Sequence, residues 1–506
     1  MSRKIRGCSK RRDKSGGVSG RVIFLSWFFL WIASEVAFAH SAPSASFYTS
    51  AQQEIYFLYW DLEFDRANSI LAKEKKLQPS HPANFVLKSL GTTLQLLVQG
   101  DKIQYFNTRE NEDRWLDSLE AGREEPGYSY SKAMIKLHWG LLKTVYGEGL
   151  SGAWAMRQAF LLLKSNHEKN PSLMANEGYF GAISIALSHI PENYQWAAQL
   201  AGLEGDENKG WESLKKAQKS GESVTVFESR LFSLLLKNYL KYPREEILLQ
   251  CEELQKEFPQ RGVCAISVWI LNKNNASQRA EEMGSKLQVK GSVVYFDYLL
   301  GLTYFQLLDL KKAQGYFQTY ISQSKSSHYK KDALHKLSIL YYLEGDSVKS
   351  LKYRERVKRQ GSSFYYADKQ ALKGAYRPWV SKDLQRARMA FEGGLFTTSL
   401  QHLSTCTQRD VPSQVEINYL KAKNYQLLNN REQAKFFYKK TIQACPKEGL
   451  YFGPMACWVL AKWSKEEGNA PQMKRYIDTL SQFKEYEYKG DIQEKVRKLE
   501  QESSVK

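Results

Sequence analysis

Cysteine is scarce in this chain, with six in 506 residues. Cys8 precedes the only N-terminal apolar run and so cannot be a lipidated lipoprotein cysteine. The other five, Cys251, Cys264, Cys406, Cys445 and Cys457, are odd in number and too few to form a disulfide framework. Cys251 with Cys264 and Cys445 with Cys457 could meet across adjacent helices, but buried free thiols are the simpler expectation. No cysteine and histidine set has metal-ligand spacing, and His167-Glu168 lacks the second histidine of a zinc-protease helix. Gly202-x-x-Gly205 lacks the lysine of a phosphate loop. The expectation is therefore no metal, no cofactor and no enzyme. Proline is also sparse, and Pro79, Pro171, Pro191, Pro243, Pro259 and Pro446 fall where helix pairs should end.

Long apolar runs are missing as well. Val22–Ala33 is apolar apart from Ser26 and far shorter than the roughly twenty residues needed to span a bilayer. It follows a basic stretch, and Ala37-Phe38-Ala39 offers a small-x-small cleavage site, so residues 1–39 read as a signal peptide. The expected location is periplasmic, cell-envelope or secreted. Acid is deficient: the formal charge is +19, and losing residues 1–39 (eight basic, two acidic) leaves +13. Such a balance favours anionic partners.

What the chain has in abundance is helical periodicity, with aromatic and aliphatic residues at three- and four-residue spacing almost throughout. The fold expected is all-α. Leu300, Gly301, Tyr304, Ala313 and Phe317 stand at the intervals of a tetratricopeptide repeat (TPR), and Ala422, Tyr425, Ala434, Tyr438 and Pro446 repeat them. Looser copies carry Leu337, Tyr341, Gly345 and Leu351, then Ala390 and Gly394, then Ala461 and Gly468. The pattern resembles a TPR-like α-solenoid of antiparallel helix pairs. Residues 291–506 form the regular array, closed by a charged capping helix with the stripe Ile492, Val496 and Leu499. Residues 40–290 form a more irregular helical region, in which 107–127 reads as a solvated helix and turn.

Within that region a glycine-led apolar helix through Gly181 runs into Leu187-Ser188-x-x-Pro191, then Gly202-x-x-Gly205-Asp206-x-x-x-Gly210. The segment 178–214 resembles the eukaryotic tetratricopeptide-repeat-39 family, which includes the yeast inclusion-body clearance protein. It departs from that family at Glu207, where an arginine is usual, and at Trp211, where an aliphatic residue is usual. The resemblance implies an interaction scaffold linked to protein-inclusion and lipid-droplet handling. Physically, Gly178, Ala182 and Ala186 make one smooth helix face, Gly202 and Gly205 provide a turn, and Asp206 caps the next helix.

Charge marks the candidate site. Between Lys325 and Arg388 sixteen lysines and arginines face six acids. Lys349, Lys352, Arg354, Arg356, Lys358 and Arg359 crowd one helix, followed by Phe364-Tyr365-Tyr366 and by Tyr376-Arg377-Pro378-Trp379. Cations beside flat rings suit an acidic peptide, a phosphate-bearing head group or an anionic glycan. The plainer alternative is the wet face of a second helix, with Tyr353 and Val357 turned inward. The function expected is an exported, non-enzymatic scaffold holding protein or peptide in its concave groove. The alternative is a binding module for an anionic glycan or lipid surface through 349–379, and nucleic acid is a poorer candidate.

Overall fold

The apolar spacing yields helices from end to end. The computed structural model describes residues 47–122, 125–190, 195, 198–288, 293–407 and 410–504; the expected signal peptide and Pro191 lie outside them. The early helices are α1 (Ser50–Trp60), α2 (Phe64–Leu77), α3 (Ala83–Gln99), α4 (Lys102–Thr108), α5 (Asn111–Ser118), α6 (Pro126–Val145), α7 (Gly149–Lys169), α8 (Met174–Ser188), α9 (Glu207–Ala217), α10 (Ser223–Leu240) and α11 (Arg244–Glu257). There follow α12 (Arg261–Lys273), α13 (Ser277–Gly284), α14 (Val294–Gln306), α15 (Leu310–Gln323), α16 (Lys330–Glu344), α17 (Ser347–Arg359), α18 (Tyr366–Tyr376), α19 (Lys382–Glu392) and α20 (Phe396–Thr405). The last are α21 (Val411–Leu427), α22 (Arg431–Ala444), α23 (Phe452–Glu466), α24 (Ala470–Ser481) and α25 (Lys489–Ser504). Among the described residues there is no strand, only an isolated bridge between Gly449 and Tyr486. The chain forms two compact units, one ending at Ser399 and one beginning at Leu400.

One turn recurs in both units. The first helix of a pair ends in a residue of positive φ: Asn275 (56°), Leu308 (64°), Gly345 (94°) and Gly394 (81°) in the first unit, Asn429 (58°) and Gly468 (70°) in the second. The next residue donates its N–H to the carbonyl five residues back. Asp309 does so to Tyr304 at 3.0 Å, Asp346 to Tyr341 at 3.0 Å, Leu395 to Ala390 at 2.8 Å and Asn430 to Tyr425 at 2.8 Å. This left-handed cap satisfies carbonyls the helix end would otherwise orphan. The donor residue then opens the second helix, since Asp309, Asp346 and Asn430 accept the N–H of Lys312, Lys349 and Gln433 at 3.1, 2.9 and 3.1 Å. A two-residue device thus closes one helix and starts its antiparallel neighbour.

Small residues set where paired helices cross. Gly301 with Ala313, Ser338 with Ser350 and Ala387 with Ser399 occupy the same offsets in the first unit, as do Ala422 with Ala434 in the second, and all are buried. A Cβ on Gly301 would lie 2.8 Å from the Phe317 ring, so the glycine is required by contact. Where serine stands in the alanine position, its hydroxyl bonds the partner helix: Ser350 Oγ donates to the Ser338 carbonyl at 2.9 Å and Ser399 Oγ to the Ala387 carbonyl at 2.9 Å. Leu300, Ala313 and Phe317 are buried, and Tyr304 stacks on Tyr316 with centroids 5.5 Å apart. In the second unit Tyr425 stacks on Phe437, Tyr438 is buried and Pro446 follows the end of α22. These are TPR-like helix pairs. Leu351 departs from its expected core position: it is exposed, and Ser350 beside it fills the crossing. Ile492, Val496 and Leu499 of α25 are buried as a stripe.

The segment 178–214 is a helix crossing. A Cβ on Gly181 would meet the Gly210 carbonyl at 2.6 Å, and one on Gly205 the Ser184 carbonyl at 2.3 Å. Asp206 accepts the Lys209 N–H at 3.0 Å and opens α9, Gly202 takes φ 69°, and Ser188 Oγ bonds the Ile185 carbonyl. The tightest approaches fall at Gly205 and Gly181, and the face of Gly178, Ala182 and Ala186 is buried, with Gly178 lying against Ser229 of α10. Residues 107–127 also differ from expectation, because Glu112 and Leu119 are buried and Trp115 and Leu116 pack on the Trp139 cluster.

The first unit also folds back on itself. The turn after α19 meets the turn after α12, with Asn275 Nδ2 donating to the Phe391 carbonyl (2.9 Å) and Ser277 N–H to the Gly393 carbonyl (3.2 Å). Where α19 crosses α14, a Cβ on Gly393 would touch the Gln306 carbonyl at 2.4 Å. These contacts join helix pairs that are not consecutive in the chain.

Candidate functional site

The site grows out of a repeat. Tyr304, Asp309, Lys312 and Tyr316 recur thirty-seven residues later as Tyr341, Asp346, Lys349 and Tyr353. In the earlier pair Lys312 lies over the Tyr304 ring at 4.4 Å and reaches Asp309 Oδ2 at 3.4 Å. In the later pair Lys349 lies over Tyr341 at 5.2 Å and reaches Asp346 Oδ2 at 2.8 Å, while Tyr341 and Tyr353 stack 5.3 Å apart. Lys349 is thus part of the pair's architecture.

Two further cations are also committed. Arg354 stands where the earlier pair has Phe317, and its Nε donates to the Ala375 carbonyl at 2.9 Å, closing the end of α18. Its guanidinium covers the Trp379 ring at 4.5 Å, and Trp379 stacks on Tyr342 at 4.6 Å, almost parallel. Burial pulls the Arg354 pKa down, and Glu355 opposes the shift. Lys358 pairs with Glu355 and lies over the Tyr376 ring at 5.1 Å. Arg377, at the end of α18, is exposed.

The remaining three are different. Lys352, Arg356 and Arg359 replace Gly315, Thr319 and Ser322 of the earlier pair. Among the described residues none has a carboxylate within ion-pair distance; Arg356 meets the Gln360 amide oxygen at 3.3 Å and the Tyr353 ring at 5.1 Å. Lys330 lies close by, where the chain after α17 packs on α16, and its pKa is lowered by burial and then by the charge of Arg356. Val348 (80% exposed) and Leu351 (57%) lie on the same face of α17 as Lys352 and Arg359, at helical spacing. Their exposure went unnoticed in the sequence, although the thirty-seven-residue register would have revealed it. The result is a solvent-facing patch of net positive charge with two apolar contacts, in which Glu355, already paired with Lys358, is the one acid of α17. Its chemistry is attraction to negative charge.

No three His, Cys, Asp or Glu side chains among the described residues could hold a metal ion, and none of the described helices is long and apolar enough to cross a membrane. None of the five described cysteines forms a disulfide.

No family model matches the sequence, and no curated protein matches it. Among solved structures, the crystal structure of the APC/C hetero-tetramer Cut9-Hcn1 is similar over 89% of this chain and 96% of that chain, at 9% identity and a TM-score of 0.26. That likeness transfers neither partner nor activity.

Proposed function

We propose that this chain is a non-enzymatic helical-repeat scaffold that binds an acidic segment of a protein partner through the α17 face. The carrying observation is the placement of Lys352, Arg356 and Arg359 where the preceding pair has glycine, threonine and serine. These side chains supply charge and hydrogen-bond donors but no nucleophile or general acid suited to catalysis at neutral pH. The reading includes export by residues 1–39 and kinship with the tetratricopeptide-repeat-39 family through 178–214.

A second reading takes the same cations to an anionic glycan or lipid head group, favoured by the exposed Val348 and Leu351 beside them. Retention of the protein on immobilised poly-glutamate peptide, on heparin and on phosphatidylglycerol vesicles separates the two. Preferred retention by the peptide, lost on combining Lys352→Glu, Arg356→Glu and Arg359→Glu and weakened by salt, supports the protein-partner reading. Preference for heparin or vesicles moves the assignment to the second. Binding that is insensitive to salt and to the triple reversal rejects both.

A further inference from the structure

Away from the basic patch, α5, α6 and α7 line an open cleft of about 460 Å³, within the usual size range of small-molecule sites, about 300–1,000 Å³. One face of α6 carries Lys132, Lys136 and Lys143. The outer two are neutralised by the segment that packs on them: Lys132 Nζ meets Glu120 Oε1 at 2.9 Å, and Lys143 Nζ meets the buried Glu112 at 2.5 Å. Lys136, between them, has no carboxylate at ion-pair distance among the described residues. Its Nζ reaches only the neutral Gln158 Oε1 of α7 at 3.0 Å, although it lines the cleft. Burial presses its pKa down, and the Glu112 carboxylate works against that shift. A row of three lysines therefore has its middle anion missing where it lines the cleft.

The cleft's apolar side is equally unusual. Leu150 and Trp154, four residues apart on α7, are 91% and 58% exposed, and both line it, as does Leu116 from α5. Trp154 is held in place by Arg157, whose guanidinium lies 5.0 Å over its ring and whose Nε is anchored on the Ala201 carbonyl at 2.6 Å. Exposed Asp113 completes the rim. Lys136, Lys143, Glu112 and Asp113 sum to zero charge, so the cleft as a whole neither attracts nor repels a zwitterion.

We propose that this cleft binds a carboxylate carried beside an apolar side chain, as in a free apolar α-amino acid or the C-terminal residue of a peptide. Lys136 pairs with the carboxylate, and Leu150, Trp154 and Leu116 cover the side chain. Asp113 receives the ammonium group when the ligand is a free amino acid.

Calorimetric titration of the full chain with L-leucine, N-acetyl-L-leucine, a short peptide ending in leucine and that peptide's C-terminal amide tests this. The acid forms should bind at least tenfold more tightly than the amide. Lys136→Gln should erase the preference for acid over amide, and Trp154→Ala, which alters an exposed side chain, should weaken every ligand about tenfold while leaving the melting temperature unchanged. Tighter binding of L-leucine than of its N-acetyl form assigns the free amino acid, and the reverse order assigns a peptide C-terminus. Equal binding of acid and amide, an unchanged preference in Lys136→Gln, or no binding of any carboxylate ligand overturns the proposal.

Discussion

Asp368, on α18, accepts the backbone N–H of Tyr329 thirty-nine residues earlier, at 2.8 Å. Its other oxygen accepts the Asp332 N–H at 3.1 Å, so the carboxylate caps the first turn of α16 from a neighbouring helix. No side chain at Tyr329 does this job.

Burial, then the charge of Asp332, push the Asp368 pKa from 3.8 to about 7. A carboxyl raised in the folded state binds its proton more tightly there than in the unfolded chain. The Asp368 contribution to stability should therefore be full below about pH 4, fall as the pH rises towards 7 and then level off, while His328 and His335, which burial holds down to about 4, act in the opposite direction. Asp368→Asn should flatten that slope, and Asp368→Ala, which orphans two buried N–H groups at about 1–3 kcal/mol each, should cost more at pH 5 than at pH 8. Urea unfolding at pH 5 and pH 8 reads both effects, and an unchanged slope in the asparagine variant would contradict the assignment.

Gly345 and Gly394 occupy the same turn but differ in what surrounds them. A Cβ on Gly345 meets only the mobile end of Lys382 at 3.7 Å, whereas one on Gly394 would lie 2.1 Å from the Asn275 carbonyl oxygen. Gly345→Ala should cost about 1–2 kcal/mol, the left-handed penalty alone. Gly394→Ala should cost clearly more and loosen the contact between the turns. Comparable melting temperatures for the two variants would show that the turn-to-turn contact does not bear on stability.

Arg354 and Lys352 look alike in the sequence and should behave oppositely. Arg354→Gln breaks the bond to the Ala375 carbonyl and uncovers Trp379, a loss of about 1–3 kcal/mol. Lys352→Gln should leave unfolding within about 0.5 kcal/mol of the parent, as is usual for a surface substitution. Thermal denaturation checks the pair without any ligand.

Ala313→Glu places an unpaired charge in the crossing with Gly301, where no side-chain surface of Ala313 is exposed. The expected cost is about 3–5 kcal/mol, readable as a melting temperature many degrees lower. A small shift would mean that the helices can separate locally at little cost.

Gly301, Tyr304, Ala313 and Phe317 were legible because a crossing point tolerates few residue types and a stacked ring has a fixed offset from it. Ser350 and Ser399 were less so, since a serine reads as polar until its hydroxyl is seen bonding the opposite helix. Trp115, Leu116 and Leu119 were hidden among acids, too few to register as an apolar face, yet they pack their segment onto α6, and Leu116 also lines the cleft. The concentration of cations around α17 needed only counting. Which of them are committed internally did not follow from counting, because Arg354 depends on Trp379, twenty-five residues away, and Lys349 on a register shared with Lys312.

The bonds from Asn275 and Ser277 to the turn at Gly393 join helix pairs that are not neighbours in sequence order. An array in which each repeat touches only the next can melt piecemeal from either end. Here a latch spans the intervening repeats, and opening any one of them strains the others. The latch should therefore make the helix pairs between Asn275 and Gly393, α17 among them, unfold more nearly together than the repeats of an open array.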